Sequence, residues 1–350
     1  MKSRIRRMRN KVLLTLGVLG VILIAAGLYF LFRSGGPDIY VANEGDGTLS
    51  VIDSTSLKVV KIIKLSGMPH NVNSDPLGRY IYATNHEEDE HMHHIPYLRI
   101  IDASTRRVVK SVPMTEKAAH VVPARDGKVV YVSREGGNTI VEVDIDTAKI
   151  KRTFSVGAGP HGFVLSNDGK TLYVPNMKSN DISIVDVVTG DERRLNVTFG
   201  GYMCETPVAM GITADNNYSF VTCGHSFDIY KIENVRNQVI GRIALKKGEF
   251  PGPIQIPTHP DNKHLYVPDM RNGVVHKIDI EKFEIIKDIL SGSGAHGIAY
   301  SADGKNAYIT NTWENTVSVL DVENDILIKK IAVGSKPNGI AVMHGKNQGW

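Results

Sequence analysis

Beyond residue 37 the apolar positions fall in short β-branched and aromatic runs, separated by Gly, Pro, Asn and Asp. No helix-length amphipathic stripe dominates, so the pattern predicts strands and tight turns. One landmark recurs, a strand that closes on an acidic residue. It is seen at Asp53, Asp102, Asp144, Asp186, Glu233, Asp279 and Asp321, with spacings of 49, 42, 42, 47, 46 and 42. A period in the low forties made of four short strands predicts propeller blades.

Each repeat has the same parts. A first strand follows a Pro or Gly turn, as at Pro160–Leu165. An Asn-Asp-Gly-Lys turn (Asn167–Lys170) leads to a second strand ending Tyr173-Val174-Pro175-Asn176. A third strand runs to Asp186 and a fourth leads outward. Turns of this chemistry accept the positive φ that a two-residue hairpin needs. The chain enters on a second strand, Asp38–Asn43, and leaves on a first strand, Gly339–Met343. One blade must therefore combine both ends. The expected fold class is all-β, a seven-bladed β-propeller of four-stranded antiparallel blades, closed by pairing the N- and C-terminal strands. One N-terminal transmembrane helix precedes it.

The end of the second strand carries a signature: Tyr40-Val41-Ala42-Asn43, Tyr82-Ala83-Thr84-Asn85, Tyr173-Val174-Pro175-Asn176 and Tyr308-Ile309-Thr310-Asn311. Degenerate copies start at Tyr131, Phe220 and Tyr266. These residues resemble the YVTN family of β-propeller repeats over residues 38 to about 343. The resemblance implies the fold. It does not choose a function, since propellers host binding, scaffolding and catalysis.

The N-terminus reads differently. Val12–Phe32 is uncharged over 21 residues, and six of the first eleven residues are Lys or Arg. A helix of that length spans roughly 30 Å, one hydrocarbon core. The positive-inside rule keeps the N-terminus cytoplasmic and the rest outside, periplasmic or at the cell surface. A cleaved signal peptide is the competing reading, with Ala25-Ala26-Gly27 as the cleavage site. The expected organisation is a basic flank (1–11), an anchor (12–32), a linker (33–37) and a propeller (38–350). Net charge is +4, but residues 1–33 hold seven basic groups and no acidic one, leaving −3 on the rest. A phosphate-backbone grip needs a basic surface, so no nucleic-acid partner is expected.

The 13 histidines carry the chemistry. Aligning the first strands on a Pro-x-Gly turn places His70, His120, His161, Met210, Ile254, His296 and Asn338 at the axial entrance, blade by blade. Four of seven are His in a chain with about one His per 27 residues, so the enrichment exceeds chance. The loop after Asn85 adds His86, His91, His93 and His94 among four carboxylates on the same face. Imidazole suits Zn, Cu or haem iron. A channel lining and a solvated polar loop are the plainer alternatives. Cys204 and Cys223 fall on this face too. Outside the cytoplasm they are expected to pair, with a soft copper site of Cys, His225 and Met as the alternative. His259, His264 and His276 read as surface residues.

Three functions remain open. The first is a membrane-anchored extracytoplasmic propeller binding a metal ion or metallocofactor, copper, zinc or a haem. It is distantly similar to the haem d1 propellers of cytochrome cd1 nitrite reductase and to the His-ringed propeller of nitrous oxide reductase. That resemblance implies a respiratory or cofactor-handling role. No Cys-x-x-Cys-His motif is present for covalent haem c, and no dinucleotide fingerprint for NAD. The second is a non-catalytic envelope module that binds a protein, peptide or glycan. The third is a hydrolase similar to propeller lactonases, with Asn85 and Asp269 on the correct face but no matching axial carboxylate.

Overall fold

A computed structural model describes residues 37–65, 67–86, 96–245 and 252–343. The anchor segment 12–32 lies outside the described residues. Seven antiparallel sheets form the blades. Blade 1 holds Asp38–Asn43, Thr48–Asp53 and Lys58–Lys64, and its innermost strand is the C-terminal Pro337–Val342. Ile39, Tyr40 and Val41 face Val342, Ala341 and Ile340. The two ends of the propeller therefore share one sheet, which leaves no unpaired strand between first and last blade.

From the axis outward, blade 2 is Met68–Ser74, Tyr80–His86, Tyr97–Asp102 and Arg107–Pro113. Blade 3 is Ala118–Pro123, Val129–Arg134, Thr139–Asp144 and Lys149–Ser155. Blade 4 is Val164–Leu165, Thr171–Asn176, Asp181–Asp186 and Glu192–Asn196. Blade 5 is Pro207–Ile212, Tyr218–Cys223, Asp228–Glu233 and Gln238–Ala244. In blade 6 the strands His264–Asp269, Val274–Asp279 and Glu284–Leu290 form a three-stranded sheet. Its innermost place is taken by the 252–258 segment through isolated bridges, Pro253 to Asp269 and Thr258 to Leu265. Blade 7 is Ala295–Tyr300, Asn306–Asn311, Thr316–Asp321 and Ile326–Ala332.

The repeated acidic landmark has a local cause. The carboxylates of Asp53, Asp102, Asp144, Asp186, Asp279 and Asp321 each accept the main-chain N–H three residues on, at 2.7–3.0 Å. Each fixes the turn into the fourth strand, an Asx turn. The signature aromatics fill the space between blades. Tyr40, Tyr82, Phe220 and Tyr266 are fully buried.

The signature Thr joins blades. In blade 2, Thr84 Oγ1 accepts the Asn71 N–H at 3.2 Å and donates to Ala119 O of blade 3 at 2.6 Å. Ser133, Thr222 and Thr310 do the same, reaching His161 O, Ile254 O and Asn338 O at 2.9, 2.6 and 2.7 Å. Each hydroxyl satisfies a main-chain group left over by a bulge in the innermost strand. Those bulges lie between Pro69 and Asn71, Ala118 and Val121, Pro207 and Ala209, and Ala295 and Ile298. A bulge turns its extra residue away from the ladder. Here the axial residues are presented this way.

Candidate metal centre

The pairing registers correct the sequence alignment of the axial ring. The residues in equivalent positions are His70, Ala119, His161, Val208, Ile254, His296 and Asn338. Each of these takes the place after the residue that pairs with the end of the signature strand, as Pro69 pairs with Asn85 and Pro207 with Cys223. His120 is one residue further in, opposite Ser133, to which it donates its N–H at 2.9 Å. Met210 is two residues further in. It pairs with Val221 and packs with Tyr173, Ile184 and Tyr230, away from the His ring. The Pro-x-Gly alignment failed there because Gly211 serves another purpose. A Cβ on Gly211 would lie 1.9 Å from the Ile256 carbonyl oxygen.

Three histidines nevertheless converge. His70, His120 and His161 each offer a nitrogen, and these atoms lie within 4.8 Å of one another. The ring centroids are 5.6, 5.3 and 4.5 Å apart. His70 Nε2 and His161 Nε2 approach to 3.2 Å. Two nitrogens bound at about 2.1 Å to one tetrahedral ion are about 3.4 Å apart, so this pair already has the spacing of a shared ion.

Hydrogen bonds fix the lone pairs. His161 Nδ1 lies 3.0 Å from Val208 O. A carbonyl only accepts, so Nδ1 carries the hydrogen and Nε2 presents its lone pair to the centre. The 3.2 Å contact then makes His70 Nε2 the donor. His70 Nδ1 in turn accepts from Asn338 Nδ2 at 3.1 Å. That amide also donates to Glu44 Oε2 at 2.8 Å, and Glu44 Oε1 is 3.5 Å from His70 Nδ1. A carboxylate beside the far nitrogen of a ligating His is a common outer partner in metal sites. Loading an ion would move the His70 hydrogen from Nε2 to Nδ1, where Glu44 can accept it.

The centre is buried. Burial, with repulsion from His161, His70 and His296, holds His120 well below its ordinary value. Burial pushes His296 down to about 4, against the attraction of Glu44 and with His161 adding to the depression. His120 Nε2 and His296 Nδ1 have no hydrogen-bond partner and are buried. A buried orphan nitrogen is costly, and a ligated ion would satisfy it. Glu135 lies on the other flank. Burial would raise its carboxyl, but Lys117, His161 and Lys178 outweigh burial and hold it below the usual range.

The remaining sequence candidates separate. His91, His93 and His94 lie outside the described residues, as does the side chain of His86. The His86 main chain pairs with Met68. This puts it one residue past Asn85, as Glu44 is past Asn43. Cys204 and Cys223 form a disulfide, with Cα atoms 5.4 Å apart. Both sulfurs are thereby occupied, and the soft Cys-His-Met copper site is excluded. His225 instead contacts Thr206 Oγ1 at 2.7 Å. Two presumed surface histidines are buried. His276 is held between Asp288, at 2.7 Å, and Asp269, at 3.3 Å. His259 Nε2 donates to Gly304 O at 2.8 Å. His264 is only partly covered, 2.6 Å from Asp261. Asn85 and Asp269 are structural as well. Asn85 Oδ1 accepts the Tyr97 N–H, and Asp269 also accepts from Asn272 at 2.8 and 3.0 Å.

Sequence reasoning missed Glu44 and Glu135. Both follow the last residue of a signature tetrapeptide, Asn43 and Arg134, and that register was the available signal.

The sheets and their closure make the chain a seven-bladed β-propeller, and its repeats resemble the YVTN type. A model described as a YNCE-like beta-propeller matches residues 204–347, and one described as a lactonase, 7-bladed beta-propeller, matches residues 98–210. No curated protein sequence matches the chain. Among solved structures it is similar to Kuenenia stuttgartiensis hydrazine synthase, at 19% identity and a TM-score of 0.71 over 82% of this chain and 93% of that one. It is also similar to a functionally unknown protein of Desulfotomaculum acetoxidans, at 14% identity and a TM-score of 0.73, covering 89% and 100%. A putative 6-phosphogluconolactonase of Bacteroides fragilis has 13% identity and a TM-score of 0.70, covering 89% and 99%. At these identities the likeness concerns the fold.

Proposed function

We propose that this chain is a membrane-anchored, extracytoplasmic β-propeller that binds one transition metal ion, copper or zinc, through His70, His120 and His161. One observation carries the reading: three imidazole nitrogens from three adjacent blades lie within 4.8 Å of one another. The depressed basicity of His120 keeps its lone pair available at neutral pH. Three imidazoles and an open position suit a zinc or copper ion.

A bare ion fits the centre better than a haem. A macrocycle needs a clear plane around its axial nitrogen, and here the rings of neighbouring histidines stand 4.5–5.6 Å away, centre to centre. The basic, apolar N-terminal segment supports the membrane reading. On that topology the metal face stands outside the cytoplasm, beside a membrane or envelope complex.

A second reading is an interaction module. The hairpin Thr198–Phe199 and Tyr202–Met203 exposes Phe199, Tyr202 and Met203 next to the disulfide, and this favours it. The lactonase match at 98–210 favours a hydrolase. Against this, the Asp269 carboxylate is already engaged by His276 and Asn272.

The test is calorimetric titration of the detergent-solubilised full chain with Cu²⁺ and Zn²⁺, repeated on His120→Ala. One site per chain that is lost in the variant supports the reading. No saturable site, or an unchanged one, refutes it.

A further inference from the structure

The outer strands differ around the disc. A bulge recurs at one register of the fourth strand. In three consecutive blades it carries a β-branched residue: Ile328 in blade 7, Val60 in blade 1 and Val109 in blade 2. A bulge takes its extra residue out of the ladder, and these three are 46–51% exposed. Ile62 and Ile326 beside them are exposed as well. Blade 3 has Lys151 at this register. Blade 6 has Ile286, but on a strand that also carries Glu284 and Asp288.

Charge follows the same arc. The fourth strands of blades 7, 1 and 2 hold seven Lys or Arg and no Asp or Glu. Among the described residues, the exposed Lys58, Lys61, Lys64 and Arg107 form no ion pair. In blades 3, 4 and 5, Arg152, Arg194 and Arg242 are instead paired with Glu142, Asp181 and Asp228 of the third strand. The disc face opposite the histidine entrance alternates in sign, as at Asp126 and Lys128, Asp168 and Lys170, and Asp303 and Lys305. Unbalanced positive charge thus sits on the rim.

The chain enters the propeller in the middle of this arc. Asp38 opens the second strand of blade 1 and pairs with Asp53, which pairs with Lys58 of the outer strand. Two strand spacings, about 10 Å, separate Asp38 from the rim. The linker 33–37 spans at most about 18 Å, so an anchor over 12–32 would keep the rim of blade 1 within reach of the headgroups. Bulges and a row of lysines obstruct pairing with a strand of another protein. Basic side chains beside an apolar edge match an anionic bilayer.

We propose that the propeller stands on edge on an anionic lipid surface, with Val60, Val109 and Ile328 at the apolar boundary and Lys58, Lys61, Lys64 and Arg107 on the lipid phosphates. The proposal rests on the membrane reading of Val12–Phe32 above. Standing on edge leaves both mouths of the axial channel open to solvent.

The test uses the full chain reconstituted in vesicles of phosphatidylcholine and phosphatidylglycerol that contain a nitroxide-bearing lipid. Flotation with the vesicles, resistant to alkaline carbonate, first checks the anchor. A fluorophore is then placed at Val60→Cys on the rim or at Val188→Cys, an exposed turn residue of blade 4. Lipid quenching is expected at Val60 and not at Val188. Lys58→Glu, Lys61→Glu and Lys64→Glu together are expected to lower the Val60 quenching at least about fivefold, since each basic group near an anionic leaflet contributes about that factor, while the chain still floats. Floating chains with no quenching at Val60, with equal quenching at Val60 and Val188, or with quenching unchanged by the charge reversal overturn the rim proposal alone. Chains that do not float overturn the membrane reading and the rim proposal with it.

Discussion

His161 donates from Nδ1 to the carbonyl oxygen of Val208 at 3.0 Å. That bond joins blade 4 to blade 5 and also chooses the tautomer whose Nε2 faces His70 and His120. The ligand orientation is thus built into the contact that packs two blades together.

Removing a ligand should remove the ion and spare the fold. His120→Ala and His161→Ala are expected to weaken copper or zinc binding by more than about 100-fold, beyond the range seen for outer partners. Titration calorimetry with circular dichroism measures both. Wild-type affinity in His120→Ala would contradict the three-histidine assignment.

Glu44 acts through His70. Glu44→Gln keeps the shape but removes the charge that would accept a His70 Nδ1 hydrogen once Nε2 holds an ion. Metal affinity is expected to fall about 10–100-fold. Glu44→Asp should recover part of it. Equal loss in both would point to packing as the cause.

His296 makes stability depend on acidity. Its folded value is about 4, against an ordinary value of about 6.5. Above pH 6.5 both states are neutral and the full stability is present. As pH falls from about 6.5 towards 4 the unfolded chain takes the proton first, and up to about 3 kcal/mol is lost. His276 works the other way. Burial lowers its basicity, but Asp269 and Asp288 together raise it above the ordinary value, so its contribution is present below about 6.5 and fades as pH rises through the raised value. Melting curves from pH 7 to 4 should show a shallower acid limb for His296→Asn, a residue the ring already accepts at Asn338. An unchanged limb would clear His296.

The disulfide closes a separation of 19 residues, worth about 3 kcal/mol in the loop-entropy model. Reduction should add two hydrogens in mass and lower the melting temperature by several degrees. No mass change would mean free thiols.

The signature Thr should matter for stability more than for the site. Thr84→Val strands the Ala119 carbonyl and the Asn71 N–H, at about 1–3 kcal/mol. A denaturant midpoint equal to wild type would deny the cross-blade role.

The fold was legible because it repeats. Six of the seven acidic landmarks close the same turn, four signature hydroxyls make the same cross-blade bond, and the split blade pairs the first and last strands. The three-His centre was partly legible, since His70 and His161 share the axial register. His120 entered the list through an alignment that was one residue off, and it reaches the centre from the next layer. Met210 was misplaced because a glycine required by the Ile256 oxygen looks the same as a turn glycine. His276 was misread because its burial depends on Asp288 directly across the ladder, a pairing that needs the register. Glu44 and Glu135 each follow a signature tetrapeptide, a register visible in the sequence, but the closeness of Glu44 to His70 of the next blade appears only once the blades close.

The most direct test of the central claim is metal analysis of the full chain isolated from its native cells, alongside His120→Ala and His161→Ala. The account predicts close to one copper or zinc per wild-type chain, nitrogen hyperfine structure from imidazole when the ion is Cu²⁺, and near-empty variants. A wild-type chain without stoichiometric metal that also fails to take up added Cu²⁺ or Zn²⁺ would contradict it.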